Sequence, residues 1–483
     1  MRRSGSRFAR RCAPCAIGSP STRTLRSSEA AGPRRGKPAV TYREAVAYLE
    51  SLIDYERTPA GAAAARLWNL DRIAHLLAAF DDPHRGLRCL HIAGTKGKGS
   101  TAAMSARIAA AAGYRTGLYT SPHLVSFRER IRIGDELISE REVVSLVQEA
   151  RPVIEAMRDT EMGSPSFFEA YTLLGLMHFA RRGVDLAVLE VGLGGRLDAT
   201  NVVSPLACAI TRIGMDHMQE LGDTLALIAA EKAGIIKPGV PVVSAPQHAD
   251  ALAVLQDTCL ERGAQLVLVG QEGGPCFAVT EQDRRRQVFT IRGLEGVYED
   301  LECPLLGRHQ AENATIAVAL IELLRGRGFD IRESAIREGI RSVRWPGRFQ
   351  IVSHRPFVVL DGAHDEVGAA ALAQTLEALF PGGRIILVLG TGRDKDAAAI
   401  TARLCPIADR VILTASSSPR AVEAHELQRL AFRHCRHTAA YTPVALAVRE
   451  AVEQAGRDDV VVVTGSLYVV GEAMQALGVD PAA

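Results

Sequence analysis

The sequence predicts an α/β protein, because short apolar runs alternate along the chain with stretches of helical periodicity. The clearest unit begins with the apolar run 90–93, continues as a glycine-rich loop, and ends in an Ala-rich helix over residues 101–112. A second series of apolar runs follows beyond residue 346. We therefore expect a phosphate-binding domain over residues 41–345 and a smaller α/β domain over residues 346–483.

The glycine-rich loop has the composition of a nucleotide phosphate site. It is the run Gly94-Thr95-Lys96-Gly97-Lys98-Gly99-Ser100. Its glycines let backbone N–H groups converge on one point, the helix N-terminus adds a positive dipole, and Lys98 supplies a charge for the outer phosphates. Gly99 stands where the strict G-x-x-x-x-G-K-[ST] pattern has Ser or Thr, so the hydroxyl is displaced to Ser100 or lost. An ordinary glycine-rich turn is the structural alternative.

Length and composition are those of a globular chain with two or more domains. The 483 residues carry a formal net charge of +2, with 47% hydrophobic and 23% charged residues. This near-neutral balance gives no reason to expect nucleic acid or an anionic membrane as a partner. No apolar run reaches the roughly 18 residues of a transmembrane helix, and the nine scattered cysteines fit a reduced compartment. We expect a cytoplasmic monomer.

The first 40 residues differ in composition from the rest of the chain. They hold ten Arg and Lys residues against one acid, Glu29, among serines, glycines and prolines. Such a segment cannot bury a core, so we expect a disordered basic extension over residues 1–40. It superficially resembles a transit peptide, although an extended or misassigned start is favoured. Its Cys12-Ala13-Pro14-Cys15 pair lacks a second pair at zinc-ligand spacing.

Polar residues follow several predicted strands of the first domain, at the strand end where α/β sheets bind ligands. Ser121 follows the strand 116–119, Glu190 follows the apolar run 186–189, and His217 follows a third strand. An acid directly after a buried strand is placed like the Walker B carboxylate that holds Mg²⁺. The ordinary alternatives are a turn former for Ser121 and a cap or core residue for His217.

Eight motifs occur in order between Gly94 and His364, and the resemblance that they carry covers about residue 41 to the end of the chain. They are G-T-K-G-K-G-S-T, T-S-P-H-L, E-V-G-L-G-G-R-L-D-A-T-N, D-H-M-x-x-L-G-D-T, E-K-A-G-I-I-K-P-G, G-R-H-Q-x-E-N-A, W-P-G-R-F and D-G-A-H. Together they closely resemble those of the folylpolyglutamate synthase and dihydrofolate synthase family of the Mur ligase superfamily. The resemblance implies a P-loop-containing, Mur-ligase-like central ATPase domain that also binds folate, and a smaller, Rossmann-like C-terminal glutamate-ligase domain.

The resemblance implies that both domains contact ATP. The glycine-rich loop would hold the phosphates through Lys98, and Arg348 would reach the phosphates from the second domain. His364 would lie near the incoming glutamate or the γ-phosphate. The residues implied in ATP binding are Gly94, Thr95, Lys96, Gly97, Lys98, Gly99, Ser100, Asn313, Arg348 and Asp361.

The resemblance also implies two Mg²⁺ sites. Ser121 and Glu190 would hold the first, and Glu190, His217 and Lys232 the second, with Lys232 carried as its carbamate. An ammonium group cannot bind a cation, whereas a carbamate is an anionic oxygen ligand, and its formation needs a lysine that loses its proton in a partly desolvated site. The ordinary alternative for Lys232 is a solvated helix charge. The implied catalytic residues are Lys98, His217, Lys232 and His364, and the implied folate contacts are Phe168 and Asp198.

Two positions depart from the usual motifs of this family. The family motif D-G-A-H-N has Asn where this chain has Asp365. Many members also have Asn where this chain has Lys96, although lysine occurs in the family at that position as well. An ionised carboxylate cannot donate hydrogen bonds to phosphate or glutamate as an amide does. We therefore expect Asp365→Asn to keep or improve activity.

The function implied by the resemblance is that of an ATP-dependent amide ligase with Mg²⁺ as cofactor. The carboxylate of dihydropteroate, of a reduced folate, or of both would attack the γ-phosphate of ATP, and L-glutamate would attack the resulting acyl phosphate. Two other functions stay open: a Mur-type ligase on a cell-wall precursor, and a degenerate nucleotide-binding homologue without turnover. The Ser166-Phe167-Phe168-Glu169 segment disfavours the first, and intact Lys98 and Glu190 disfavour the second.

Overall fold

The computed structural model describes residues 40–54 and 68–481, which form an eight-stranded, a six-stranded and a three-stranded sheet with helices around them. The predicted α/β class is confirmed. The basic extension expected over residues 1–40 lies outside the described residues apart from Val40, and so does its Cys12–Cys15 pair. Within the described ranges, no helix has the combination of length and apolar character that crossing a membrane requires.

The eight-stranded sheet carries the glycine-rich loop. Its strands are β1 (Cys89–Ala93), β2 (Thr116–Tyr119), β3 (Ile131–Ile133), β4 (Glu136–Leu137), β5 (Leu186–Glu190), β6 (Ala207–Ile210), β7 (Val242–Ser244) and β8 (Leu266–Leu268). Their order is β4-β3-β2-β5-β1-β6-β7-β8, and only the edge strands β3 and β4 run antiparallel to their neighbours. The central strands β5, β1 and β6 are buried on both faces, which explains their mainly apolar sequences.

Helices cover both faces of this sheet. Leu90 and Ile92 point into one core, and Cys89 and Ala93 point into cores on the other side, as the two-residue period of a strand requires. The helices are α1 (Tyr42–Glu50), α2 (Asp71–Ala78), α3 (Lys98–Ala111), α4 (Glu140–Met157), α5 (Phe167–Arg182), α6 (Met218–Leu221), α7 (Leu225–Ala233), α8 (Ala249–Arg262), α9 (Arg308–Arg325) and α10 (Glu333–Ser342).

A three-stranded antiparallel sheet is a feature that the sequence analysis did not identify. It consists of β9 (Cys276–Gln282), β10 (Gln287–Arg292) and β11 (Val297–Cys303), in the order β11-β10-β9. Phe289, Ile291 and Leu301 are fully buried and join the core beneath α3, α9 and α10. This small sheet therefore extends the same face of the molecule that supports the helix of the glycine-rich loop.

The six-stranded sheet belongs to the C-terminal part of the chain. Its strands are β12 (Gln350–His354), β13 (Phe357–Leu360), β14 (Ile385–Leu389), β15 (Arg410–Leu413), β16 (Thr438–Ala440) and β17 (Val460–Thr464). They lie in the order β12-β13-β17-β14-β15-β16. The helices around them are α11 (Glu366–Leu379), α12 (Ala397–Leu404), α13 (Ala424–Ala431), α14 (Val444–Glu453) and α15 (Leu467–Leu477).

The second sheet has one antiparallel edge, which the sequence analysis did not identify. Strand β12 runs antiparallel to β13, while the other strands of the sheet are parallel to their neighbours. The physical reason is the connection: only Arg355 and Pro356 separate the two strands, and so short a link suits a hairpin, whereas a parallel crossover needs a dozen or more residues. The domain boundary after residue 345 stays a prediction.

Candidate active site

The glycine-rich loop leads from β1 into α3. Gly97 is the N-cap of α3, with a φ of +93° and no side chain to cap the helix. The N–H groups of the first turn, over residues 98–100, have no acceptor within the helix and are the natural donors to an anion. By contrast, the N–H groups of Thr95 and Lys96 both donate to Arg212 O, at 2.9 and 3.0 Å. We therefore restrict the proposed phosphate cradle to residues 97–100.

Close contacts explain why this loop is rich in glycine. A Cβ atom on Gly94 would lie 1.9 Å from Thr211 Oγ1, and one on Gly97 would lie 2.2 Å from Asn313 Oδ1. A Cβ atom on Gly99 would lie 2.8 Å from the Trp345 ring. Asn313, which the resemblance implies in ATP binding, thus lies directly against the loop.

Gly97→Ala is expected to weaken ATP binding by about tenfold or more. A side chain in the left-handed region adds about 1–2 kcal/mol of strain, and the new Cβ would force Asn313 or the loop to move. The measurement is the affinity for a non-hydrolysable ATP analogue, by calorimetry. Gly113→Ala is the matched control, because Gly113 follows the same helix with a φ of +92° and a Cβ added there would have no heavy atom within 4 Å. Equal nucleotide affinity in the two variants would contradict the role of the loop.

Lys98 lies among the residues at the carboxyl ends of the central strands. Burial lowers the pKa of Lys98, and the charge of Glu190 is the strongest of those that oppose this effect. The charges of Asp216 and Asp198 act on it in the same direction as Glu190. The structure therefore brings the loop lysine together with the predicted acid of β5.

Glu190 is a buried carboxylate, with 5% of its surface exposed, at the end of β5. Its Oε2 atom accepts a hydrogen bond from the Ser121 N–H group at 3.2 Å. Burial raises the pKa of Glu190, and the positive charge of Lys98 opposes that rise. A buried carboxylate of this kind favours a nearby cation. Ser121 and Glu190 are thus adjacent, as the resemblance implies.

Lys232 is buried in α7 with only 4% of its surface exposed, so the alternative of a solvated helix charge is wrong. Burial, followed by the positive charge of Lys98, lowers the pKa of Lys232 to about 7.

His217 is the N-cap of α6 and lies in the left-handed region, with a φ of +52°. Partial burial, with the charges of Lys395, Lys98 and Lys232, lowers the pKa of His217 to about 4, although Asp216 opposes it.

The predicted residues of the C-terminal loops lie opposite this group. The two carboxylate oxygens of Asp361 accept hydrogen bonds from the backbone N–H groups of Phe349 and Ala363, each at 2.8 Å. Burial lowers the pKa of Arg348, while the charges of Asp361 and Glu190 oppose the shift. Arg348 therefore lies within electrostatic range of Glu190, whereas Asp361 joins the two loops that carry Arg348 and His364. A cavity of about 320 Å³ is lined by Arg348 and Trp345.

His364 has partners on both ring nitrogens. Its Nδ1 atom lies 2.8 Å from Gly362 O, and its Nε2 atom lies 2.9 Å from Lys96 Nζ. The positive charge of Lys96 and then burial lower the pKa of His364. Asp365 follows as the N-cap of α11, and its second oxygen lies 2.8 Å from the same Lys96 Nζ atom.

The predicted folate contacts lie around one loop after β5. The carboxylate of Asp198 accepts hydrogen bonds from Leu193 N and Thr200 N, both at 3.0 Å. The Phe168 ring lies against Gly192, where an added Cβ would be 2.5 Å from Phe168 Cζ. Asp198 therefore holds the backbone of this loop, and Phe168 remains partly exposed beside it.

Two charged residues join the site although the sequence analysis gave them no role. Asp216 precedes His217, and it lies 2.6 Å from Lys395 Nζ and 3.3 Å from Lys96 Nζ. Lys395 also lies 3.4 Å from Asp394, which pairs with Arg420. Residues 390–394 and 416–420 follow strands of the second sheet, and this position could have indicated a functional role for the loops around Lys395. Nothing in the sequence indicated that Lys395 pairs with Asp216 of the first sheet.

Two family models match most of this chain in succession. The Mur ligase middle domain matches residues 92–321, and the Mur ligase glutamate ligase domain matches residues 347–467. The first model thus contains the glycine-rich loop, Glu190 and Lys232, and the second begins just before Arg348.

Individual proteins match over most of their length. The dihydrofolate synthase/folylpolyglutamate synthase of Bacillus subtilis is 35% identical over 417 residues, which is 84% of this chain and 94% of that protein. The folylpolyglutamate synthase of Mycobacterium tuberculosis complexed with ADP superposes with a TM-score of 0.82 at 34% identity, covering 91% of this chain and 99% of that one. Escherichia coli FolC in complex with DHPP and ADP gives a TM-score of 0.79 at 32% identity, covering 91% and 98%.

Proposed function

Because this chain belongs to the dihydrofolate synthase/folylpolyglutamate synthase family of Mur ligases, we propose that it joins L-glutamate to dihydropteroate, to a reduced folate, or to both. It is an ATP-dependent ligase, like the other members of that family. The observation that carries the proposal is the position of Lys98, on an open helix N-terminus and within electrostatic range of Glu190 and Lys232.

The proposed reaction has two steps. The carboxylate of the pterin substrate attacks the γ-phosphate of ATP, which forms an acyl phosphate and releases ADP. The amine of L-glutamate then attacks the acyl carbon, which forms the amide and releases inorganic phosphate and a proton. Lys98 and the first-turn N–H groups of α3 bind the phosphates and offset the charge of the transferred group, and Arg348 assists from the second sheet.

Mg²⁺ fits the residues at the end of β5. Mg²⁺ is commonly held by one or two carboxylates together with substrate phosphates and water. Glu190 is such a carboxylate, buried and with a raised pKa, and Ser121 is adjacent to it. Within the described ranges no three His, Cys, Asp or Glu side chains form a metal-binding group of their own. Glu190 and Ser121 would hold one Mg²⁺, which when bound neutralises part of the phosphate charge.

A second Mg²⁺ would be held by Glu190, His217 and a carbamate on Lys232. Carbamate formation requires the neutral amine, and a lysine with a pKa of about 7 is half deprotonated at neutral pH. Burial disfavours the charged ammonium form of Lys232, and the positive charge of a bound metal ion would disfavour it further. The low pKa of Lys232 therefore supports the carbamate.

The pterin would bind beside the loop that follows β5. Phe168 is partly exposed there and offers an aromatic face, and Asp198 keeps the loop backbone in place through its hydrogen bonds. Asp198 would thus act on the substrate chiefly through the shape of the loop. These two residues and the cradle of residues 97–100 flank the strand ends of the first sheet.

The proposed function is tested by ADP release with ATP, Mg²⁺ and L-glutamate, in the presence of one acceptor at a time. We expect release with dihydropteroate, with tetrahydrofolate, or with both, and none when glutamate is left out. Release only with a muramyl peptide precursor would identify a ligase of cell-wall synthesis. Absence of release with all three acceptors would indicate a homologue without turnover, and either outcome would overturn the proposal.

A further inference from the structure

The side chain of Lys96 makes so many contacts within the protein that none of its donors remains for a phosphate group. An ammonium group has three N–H donors and no acceptor. Three acceptors surround Lys96 Nζ: His364 Nε2 at 2.9 Å, Asp365 Oδ2 at 2.8 Å and Asp216 Oδ2 at 3.3 Å. The backbone N–H of Lys96 donates to Arg212 O. Every donor of this residue is therefore engaged within the protein.

These contacts join loops from the two sheets. Lys96 follows β1 and Asp216 follows β6, both in the first sheet, whereas His364 and Asp365 follow β13 in the second. Lys395, which follows β14, reaches back to Asp216 at 2.6 Å. Asp216 thus accepts from two lysines, one on each side, and the group forms a continuous ion-pair network across the cleft.

The partner of Lys96 also determines the state of the His364 ring. Since a lysine ammonium only donates, His364 Nε2 must accept, and the ring proton must be on Nδ1, where it donates to Gly362 O at 2.8 Å. Neither nitrogen is left to take a proton from substrate in this arrangement. Lys96 therefore fixes both the orientation and the tautomer of His364.

We infer that Lys96 is a positioning residue and not a phosphate ligand, and that Asp365 is its matched partner: together they hold the His364 loop on the glycine-rich loop. The inference deepens the proposed function, on which its activity measurement rests. The carboxylate of Asp365 neutralises the ammonium of Lys96, so the two side chains form one ion pair between the loops. An amide at residue 365 would present either its oxygen or its NH₂ group to Lys96, and neither carries the negative charge that pairs with the ammonium.

The test is a double-mutant cycle with Lys96→Met, Asp365→Asn and the combined variant. Directly paired residues show non-additive effects, whereas independent ones add. We expect Asp365→Asn to lower kcat for ADP release by about fivefold or more in the natural protein and by less than about twofold in the Lys96→Met protein. Equal effects in the two backgrounds would overturn the pairing. Asp365→Asn keeps an oxygen that can cap α11 by accepting from Gly368 N, so it is expected to fold even if Lys96→Met does not.

Two further measurements do not depend on turnover. Calorimetry with Mg²⁺ and AMPPCP should give affinities within about threefold of the natural protein for both single variants; a loss of about tenfold or more in Lys96→Met alone would make Lys96 a phosphate ligand and overturn the inference. Nitrogen NMR of the labelled histidine, assigned with His364→Gln, should show Nδ1–H with Nε2 as an acceptor, and this signal should change in Lys96→Met. An unchanged His364 signal in Lys96→Met would also overturn the inference, and this result does not depend on whether the protein ligates glutamate.

Asp135→Asn is the matched control for the carboxylate. It removes a comparable ion pair, between Asp135 Oδ2 and Arg107 Nη1 at 2.9 Å, but at a site where the Asp135 side chain is 82% exposed. Nucleotide affinity, the His364 signal and kcat are all expected to stay unchanged in this variant. A similar loss of kcat in Asp135→Asn would mean that the effect of Asp365→Asn is not specific to the pair.

Discussion

Lys98→Ala is expected to reduce kcat for ADP release by about 10²–10³-fold while the protein remains folded. The lysine stands at the start of α3 among Glu190, Asp216 and Asp198, and its charge would be lost where the transferred phosphoryl group develops negative charge. The loss should appear in kcat, since the first-turn N–H groups of α3 remain to bind the nucleotide. Steady-state kinetics and thermal unfolding by circular dichroism measure the two quantities.

The control for this substitution is Arg107→Ala on the same helix. Arg107 also carries a positive charge, but it contacts Ser342 and Asp135 away from the strand ends. We expect a small change in stability and none in kcat. Turnover of Lys98→Ala within about tenfold of the natural protein would contradict the assignment of the loop.

Lys232→Ala is expected to lose most activity, by about 10²-fold or more, and to regain part of it in acetate or formate. The side chain is 4% exposed and has a pKa of about 7, so the substitution leaves a small buried space within electrostatic range of His217. If the natural residue is a carbamate, a short carboxylate restores the missing oxygen ligands. The measurement is kcat as a function of formate concentration.

Two companion variants make the carbamate test specific. Formate should not restore Lys98→Ala, because that variant lacks a cation and not an oxygen ligand. Lys232→Arg should stay inactive, because guanidinium keeps its charge and cannot form a carbamate. Near-normal turnover in Lys232→Arg would rule out the carbamate.

Local sequence signals predicted the parts of the site that lie next to strands and helices. The β1–loop–α3 unit was recognisable because its apolar run, glycines and Ala-rich helix are contiguous in the chain. Glu190 was recognisable because an acid directly after four apolar residues lies at the ligand-binding edge of a parallel sheet. These inferences depend on neighbours in sequence, which is why the structure agrees with them.

Interactions between distant parts of the chain could not be predicted in the same way. Lys96 and His364 are separated by 268 residues, and nothing in either motif specifies that their side chains meet. The antiparallel edge strand β12 was missed because its pairing depends on a two-residue link, and the burial of Lys232 was decided by packing of α7 against the loop after β5. Asp365 shows the consequence most clearly: from sequence an amide looked preferable there, whereas its ion pair with Lys96 reverses the expected effect of Asp365→Asn.

The most direct test of the account is to follow oxygen from the acceptor carboxylate. Dihydropteroate, or tetrahydrofolate if that is the acceptor used, labelled with ¹⁸O in its reacting carboxylate is incubated with the protein, ATP, Mg²⁺ and L-glutamate, and the inorganic phosphate is analysed by mass spectrometry. Attack of that carboxylate on the γ-phosphate, followed by amide formation, transfers one labelled oxygen to each phosphate released. An acyl phosphate intermediate predicts labelled phosphate in an amount equal to that of the amide product. Amide formation with unlabelled phosphate would contradict the acyl phosphate and, with it, the proposed mechanism.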